Sequence, residues 1–195
     1  MKNTKWIGAL LAGLLVLTVA GCQNTSDEGN PAASSTLPPS TEVRVSPHPG
    51  HSAGERFSMT MILEGMEQAE TAEHYENGVY CMDYFCQGMT LEDAGNVQTF
   101  RWCYLPEIMY MRISLLTDTT ALDYARQNMP EEQSAAVIAG KAAISQRQFE
   151  GDRYLQTYVF DTDAGCILVE QSYTAEAAEG VGCRMDAMLN TMALF

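Results

Sequence analysis

Apolar and polar residues begin to alternate at Phe57. Phe57, Met59, Met61 and Leu63 are interleaved with Ser58, Thr60 and Glu64, the two-residue period of a half-buried strand. Gly65 then suggests a bulge before the next segment, Met66 to Tyr75. The Glu, Gln and Ala content of that segment would also suit a helix, but Glu76-Asn77-Gly78 follows it. Asn-Gly is a preferred hairpin pair because both residues tolerate positive φ, so Val79 to Phe85 is read as the returning strand. Further strands are expected at Met109–Leu115, Ala135–Ala139, Ala142–Phe149, Tyr154–Phe160 and Cys166–Tyr173. Gly140 suits a positive-φ turn, and Asp161 to Gly165 reads as a hairpin loop. Two helices punctuate the strands. Asp118 or Thr119 can cap Ala121–Met129, with Leu122, Ala125 and Met129 on one stripe and Pro130 ending it. Residues 175–192 place Ala178, Val181, Met185, Met188, Leu189 and Met192 on one helical face. Glu176 and Glu179 lie at its N-terminal end, where the helix dipole favours acids. Ala178 and Gly182 form a small-residue notch that lets such a helix lie close on a sheet. The expected fold class is α+β: a largely antiparallel β-sheet flanked by two helices, one of them C-terminal.

The first 22 residues follow a different pattern. Lys2 and Lys5 precede an apolar run from Trp6 to Val19, which ends in Val19-Ala20-Gly21-Cys22. The run is short for a membrane span, which needs roughly 20 residues, and has the flanks of a secretory signal. Small residues directly before a cysteine resemble the lipobox of bacterial lipoproteins. That resemblance implies a diacylglyceryl group on the Cys22 thiol and cleavage just before it, two acyl chains holding far more firmly than one. The expected organisation is a signal peptide over 1–21, a lipid-anchored disordered linker over 22–55 and an extracytoplasmic α+β domain over 56–195. Pro31, Pro38, Pro39, Pro47 and Pro49 all fall in the linker, among small polar residues that bury too little to offset their ordering entropy. As a flexible coil it would span on the order of 30 Å. His48 and His51 form a weak metal clip at most and are read as solvated linker histidines.

Charge narrows the partners. The 195 residues include 11 basic and 25 acidic ones, a net charge of −14. Loss of residues 1–21 removes Lys2 and Lys5 and no acid, which takes the charge to −16. Such a chain lacks the positive footprint that nucleic acid requires, and an anionic bilayer repels it. The expected partners are the membrane, through lipid on Cys22, and an envelope protein or a cationic ligand, with no nucleic acid. At 46% hydrophobic residues, the chain is neither wholly disordered nor polytopic.

Candidate chemistry is sparse. His-Glu-x-x-His, Gly-x-Ser-x-Gly and Ser-x-x-Lys are absent, and Gly140-Lys141 lacks the rest of a phosphate loop. His74, the one histidine inside the domain, reads as an exposed strand residue near a turn. Beyond Cys22 the chain has Cys81, Cys86, Cys103, Cys166 and Cys183. Five thiols cannot all pair within one chain. Cys86 with Cys103, or Cys166 with Cys183, are bridges an oxidising compartment would allow, while the plain reading is small buried hydrophobes. The twelve methionines suit Cu(I) as thioethers, but Met59/Met61, Met109/Met111 and Met185/Met188/Met192 have the spacing of core stripes. Glu64, Glu67, Glu70, Glu73 and Glu76 recur every third residue, so they alternate faces on a strand and are read as solubilising an edge. No catalytic residue, cofactor or metal ligand is assigned.

The run Glu179-Gly180-Val181-Gly182-Cys183-Arg184, followed by Ala187-Met188-Leu189, resembles the ending of small bacterial lipoproteins with one extracytoplasmic domain. The element order is similar to the PsbP/Mog1-like fold. That resemblance implies binding or assembly rather than catalysis. The expected function is therefore a non-catalytic binding or assembly module of the cell envelope, at the extracytoplasmic face of the membrane. The alternative is an envelope hydrolase or redox protein using cysteine or carboxylate chemistry.

Overall fold

A computed structural model describes residues 50–63, 65–129 and 132–195. The expected signal segment, Cys22, His48 and the expected linker as far as residue 49 lie outside the described residues. The first alternating segments form β1 (Arg56–Leu63) and β2 (Met66–Glu76), antiparallel, with Met59 opposite Glu70 and Met61 opposite Gln68. Met59, Met61 and Leu63 are buried, as their period requires. At the following turn the Asn77 side-chain oxygen accepts from the backbone N–H of Val79 and Tyr80, both at 3.1 Å, and Gly78 has φ +81°. The chain returns as β3 (Tyr80–Tyr84), and a short β11 (Ala193–Leu194) adds to its free edge.

The second sheet has seven antiparallel strands: β4 (Met89–Asp93), β5 (Val97–Trp102), β6 (Tyr110–Leu116), β7 (Ser134–Ile138), β8 (Lys141–Glu150), β9 (Arg153–Thr162) and β10 (Gly165–Thr174). Their spatial order is β4-β5-β6-β10-β9-β8-β7. Two meanders therefore meet where β10 pairs with β6. Between them α1 (Ala121–Asn128) carries the chain to the far edge.

The inner face of this sheet shares one core with the first sheet. Met59, Met82, Phe100, Met111, Ile113 and Phe160 belong to it, as do Met185 and Met188 of α2 (Cys183–Asn190). Polar contacts tie the sheets together above that core. The Tyr75 hydroxyl donates to Asp93 Oδ2 at 2.8 Å, and the Tyr80 hydroxyl donates to the buried Gln98 Oε1 at 3.0 Å. Phe100 packs edge-on against Tyr75 and at a tilt against Tyr84.

The architecture corrects the expected α+β class. Eleven strands in two sheets dominate the described residues, and the two α-helices have eight residues each. The fold is largely β, not one sheet flanked by helices. Two causes account for the difference. Strands β4 and β5 are short and mix polar with apolar positions, so no long alternation announces them. The helix expected over 175–192 is shorter, running from Ala178 to Asn190, and its first turn is π-helical (Ala178–Gly182) before α2 begins, because two glycines weaken regular α-helix there. The notch itself is present. A Cβ on Gly182 would lie 3.0 Å from the Tyr173 ring, so this glycine sets how closely the turn approaches β10. In α1 the cap is Thr120, whose hydroxyl accepts from the Asp123 N–H at 3.1 Å, one residue later than expected. Ala121, Ala125 and Met129 are its buried positions and Leu122 is exposed, because β9 lies on that side.

Gly165, at the start of β10, has φ +138°, and a Cβ there would stand 2.5 Å from the Leu116 carbonyl oxygen. Gly151 has φ +66° with open space around it. Gly165→Ala should cost about 2–4 kcal/mol of stability, from the clash and the backbone conformation together. Gly151→Ala should cost only the roughly 1–2 kcal/mol of the left-handed conformation. Urea midpoints of the full chain measure both, and equal costs would show that the Leu116 carbonyl is not the obstacle.

Candidate functional site

Strand register builds a polar row across the outer face of the seven-stranded sheet. Gln146 lies opposite Thr157, Thr157 opposite Glu170, Glu170 opposite Arg112, and Arg112 opposite Thr99. The neighbouring row on the same face begins Ile144, Val159, Leu168. It is apolar, and Ala121, Ala125 and Met129 pack on it. At the end of α1 that cover stops. A groove of about 270 Å³ opens there between Tyr124, Asn128 and Met129 on one side and Gln146, Gln148, Leu155, Thr157 and Glu170 on the other, with Tyr110 of β6 also lining it.

The groove is rich in hydrogen-bonding groups and nearly balanced in charge. Arg112 Nη1 lies 3.6 Å from Glu170 Oε2, with both side chains more than a third exposed. Solvent makes such a pair weak, but it offsets the carboxylate's charge. The same guanidinium stands 5.2 Å from the Tyr110 ring centre. Burial, reinforced by the charge of Glu170, holds the Tyr124 phenol above its ordinary pKa, so its hydroxyl remains a donor. Gln146 is 5% exposed, and its Nε2 has no hydrogen-bond partner among the described residues. A buried polar group left unpaired costs about 1–3 kcal/mol, and native interiors contain few of them. These residues can bind and orient a polar ligand by donating and accepting hydrogen bonds.

A second polar cluster sits on the inner face, beside α2. Gln171 Nε2 donates to Asp186 Oδ1 at 3.2 Å, and Arg147 Nε donates to Gln156 Oε1 at 2.7 Å. Burial pushes the Asp186 carboxyl above its ordinary pKa, opposed by the Gln171 hydrogen bond and the charge of Arg147.

The residues singled out in the sequence fall elsewhere. Cys22 and His48 are outside the described residues. His51 is not a solvated linker residue: its ring stacks on Phe57 at 3.9 Å, with Nδ1 2.9 Å from Glu55 Oε1. His74 is buried, not exposed, and its Nδ1 lies 2.6 Å from Asp83 Oδ1 across the β2–β3 pair. The end of α2 docks at that point, with the Asp83 N–H donating to Thr191 Oγ1 at 2.8 Å.

Cys81, Cys86, Cys103, Cys166 and Cys183 are all free thiols. The bridges Cys86–Cys103 and Cys166–Cys183 are thus not formed. Cys166 packs in the apolar cluster under α1, and burial pushes its thiol up to about 11. Burial also raises Cys81 and Cys183, whereas Cys103 is exposed. The methionine pairs and the Met185/Met188/Met192 stripe lie in the core. Glu64 lies outside the described residues, and Glu67, Glu70, Glu73 and Glu76 do not mark an edge, because β2 lies between β1 and β3. Glu70 instead pairs with Arg184, and Glu73 accepts from Arg56 and Tyr84.

The groove was missed, although the sequence carries a signal for it. Along one face of β8 the residues run Ala142, Ile144, Gln146, Gln148; along one face of β10 they run Cys166, Leu168, Glu170, Ser172. Both turn from apolar to polar at the same depth, which marks where a covering element stops.

No family model matches the chain, and no curated protein matches it. Among solved structures it is similar to a protein of Bacteroides thetaiotaomicron, at 14% identity and a TM-score of 0.45, over 60% of this chain and 45% of that one. The chain thus spans less than half the length of that protein. It is also similar to the solution structure of cyanobacterial PsbP (CyanoP) from Synechocystis, at 14% identity and a TM-score of 0.47, over 64% of this chain and 92% of that one.

Two measurements check this description. In a Cys22→Ser background, a thiol reagent at pH 8 should label Cys103 in the folded chain and Cys166 only after denaturation. Rapid labelling of Cys166 in the folded state would contradict its placement. Asp186 has a native pKa above its ordinary 3.8, so the folded chain holds that proton more tightly than the unfolded chain. Stability from this group therefore falls as pH rises from about 4 through the native pKa. Asp186→Asn should gain stability relative to the parent across that window and show no trend below it. Urea midpoints between pH 3 and 8 test this, and a difference independent of pH would refute it.

Proposed function

We propose that the chain is a lipoprotein anchored through Cys22, whose domain acts as a non-catalytic binding module at the extracytoplasmic face of the cell envelope. The anchoring half rests on Val19-Ala20-Gly21-Cys22 behind a short basic and apolar leader. The binding half is carried by one observation: the outer-face groove offers amides, hydroxyls and a charge-balanced carboxylate around the Gln146 Nε2, which has no partner among the described residues. Groups of that kind hold a ligand by hydrogen bonds; a nucleophile would need an adjacent base to activate it. The remaining chemistry supports the same reading. His74 is buried against Asp83, and burial keeps the Cys81, Cys166 and Cys183 thiols protonated at neutral pH.

Anchoring is tested on the native protein in its own cells. The wild-type chain should fractionate with membranes and yield an N-terminal peptide that starts at a diacylglyceryl-modified Cys22. Cys22→Ala should leave the membrane fraction or accumulate with its leader uncut. An N-terminus that retains Met1, or a Cys22 without lipid, removes the anchor. Turnover of an envelope substrate by the purified chain would remove the non-catalytic half.

A further inference from the structure

We infer that the groove between the end of α1 and the outer face of the seven-stranded sheet binds a neutral saccharide, one pyranose ring seated against Gln146. This inference deepens the binding-module reading and rests on it. The starting point is the Gln146 amide, buried in the groove wall with Nε2 unpaired among the described residues. Of its neighbours, the Ser145 hydroxyl donates to the Ser134 carbonyl and Gln156 accepts from Arg147, while Gln171 donates its Nε2 to Asp186 and leaves its buried Oε1 unpaired among the described residues. A buried donor that lines an open groove and finds no acceptor among the described residues is held for a group the chain does not supply.

The surrounding groups select the class of ligand. Gln146, Gln148, Asn128, Thr157 and Tyr124 each carry both donor and acceptor capacity, as does every sugar hydroxyl. Glu170 adds a fixed acceptor for a pair of adjacent hydroxyls, and Arg112 offsets its charge at 3.6 Å. Arg153 also lines the groove, but it pairs with Glu150 at 3.4 Å, as Arg112 does with Glu170, so an anion would meet two already engaged guanidinium groups on a strongly acidic chain. A hard cation needs six to eight oxygens, and no group of three or more His, Cys, Asp or Glu side chains poised for a metal occurs among the described residues. An apolar ligand would strip water from Gln146, Thr157 and Glu170 and return no hydrogen bond. The rings of Tyr110 and Tyr124 supply apolar surface for the C–H groups of a sugar ring while keeping a polar tip. The 270 Å³ of space lies just below the roughly 300–1,000 Å³ of sites for drug-sized ligands, which fits one ring with any further sugar units outside.

The test uses the full chain in detergent, titrated to 100 mM with glucose, galactose, mannose and N-acetylglucosamine, with Tm and calorimetric heat as readouts. At least one of these sugars should raise Tm by several degrees and titrate with a Kd of millimolar or tighter. Because excluded osmolytes raise the Tm of any protein, trimethylamine N-oxide at equal osmolality sets the baseline. Gln146→Leu should abolish the rise above baseline while melting at or above the parent temperature, since it removes the unpaired amide. Should that variant not fold, Gln148→Ala at the groove rim should weaken binding about tenfold. Oligosaccharides of the ring that binds separate the two sources: tighter binding than the monosaccharide indicates a ring within an envelope glycan, and equal binding a free sugar. The inference is overturned if none of the four sugars exceeds the osmolyte baseline, or if Gln146→Leu and Gln148→Ala both bind as the parent does. A silent titration leaves the Cys22 anchor and the non-catalytic reading standing. Release of new reducing ends, with binding intact, would remove the non-catalytic reading and leave the site.

Discussion

Strand β10 is hydrogen-bonded along both edges, to β6 and to β9, and buried on both faces over Cys166–Val169. Ile167 and Val169 enter the core shared by the two sheets, while Cys166 and Leu168 lie in the cluster under α1. Such a strand cannot alternate polar with apolar residues, because neither side faces water. It is also the strand that brings the two meanders together. Without the β6–β10 ladder the chain would have two open sheets, each with an exposed apolar face. Gly165 lets β10 begin beside the Leu116 carbonyl where a side chain would collide, and Gly182 lets the turn before α2 lie against Tyr173 on the same strand.

The groove follows from how far that burial extends. A seven-stranded sheet has two faces to cover. The first sheet and α2 cover the inner one, but α1 has only eight residues and shields only part of the outer face. Beyond its end the face must tolerate water or a ligand, and the residues change accordingly, from Ile144 to Gln146 and from Leu168 to Glu170. What exceeds mere tolerance of water is Gln146, buried where its Nε2 finds no partner among the described residues. Folding stability is a small difference between large opposing contributions, so an unpaired buried amide is a feature that function explains better than packing does. The lipid proposed on Cys22 would hold an acidic binding domain at a membrane where electrostatics would not.

Most strands were legible because each shows a clean period or sits between strong turns. Asn77-Gly78 and Gly140 mark hairpins through positive φ, and the structure adopts it at Gly78, Gly140 and Ala139. Strands β4 and β5 were not legible: Met89-Thr90-Leu91-Glu92-Asp93 has too few apolar positions to show a period. The buried methionine stripe of the C-terminal helix was legible from its spacing, but its extent was not, because helical spacing does not reveal that the glycines against Tyr173 give its first turn π-helical geometry. His74 was misread for a related reason. It lies beside a hairpin turn in sequence, and its burial comes from pairing with Asp83 on the neighbouring strand, where Thr191 from the far end of the chain also docks.

By itself the sequence determined the strand period, the hairpin turns, the methionine core and the lipobox-like leader, because each depends on residues within a few positions of one another. The tertiary structure alone decided which face of each strand is covered, which histidine is buried, that the thiols stay apart, and that the end of α1 lies short of the polar row. Those outcomes depend on the register between strands distant in the chain, and a one-residue slip in register exchanges inside for outside.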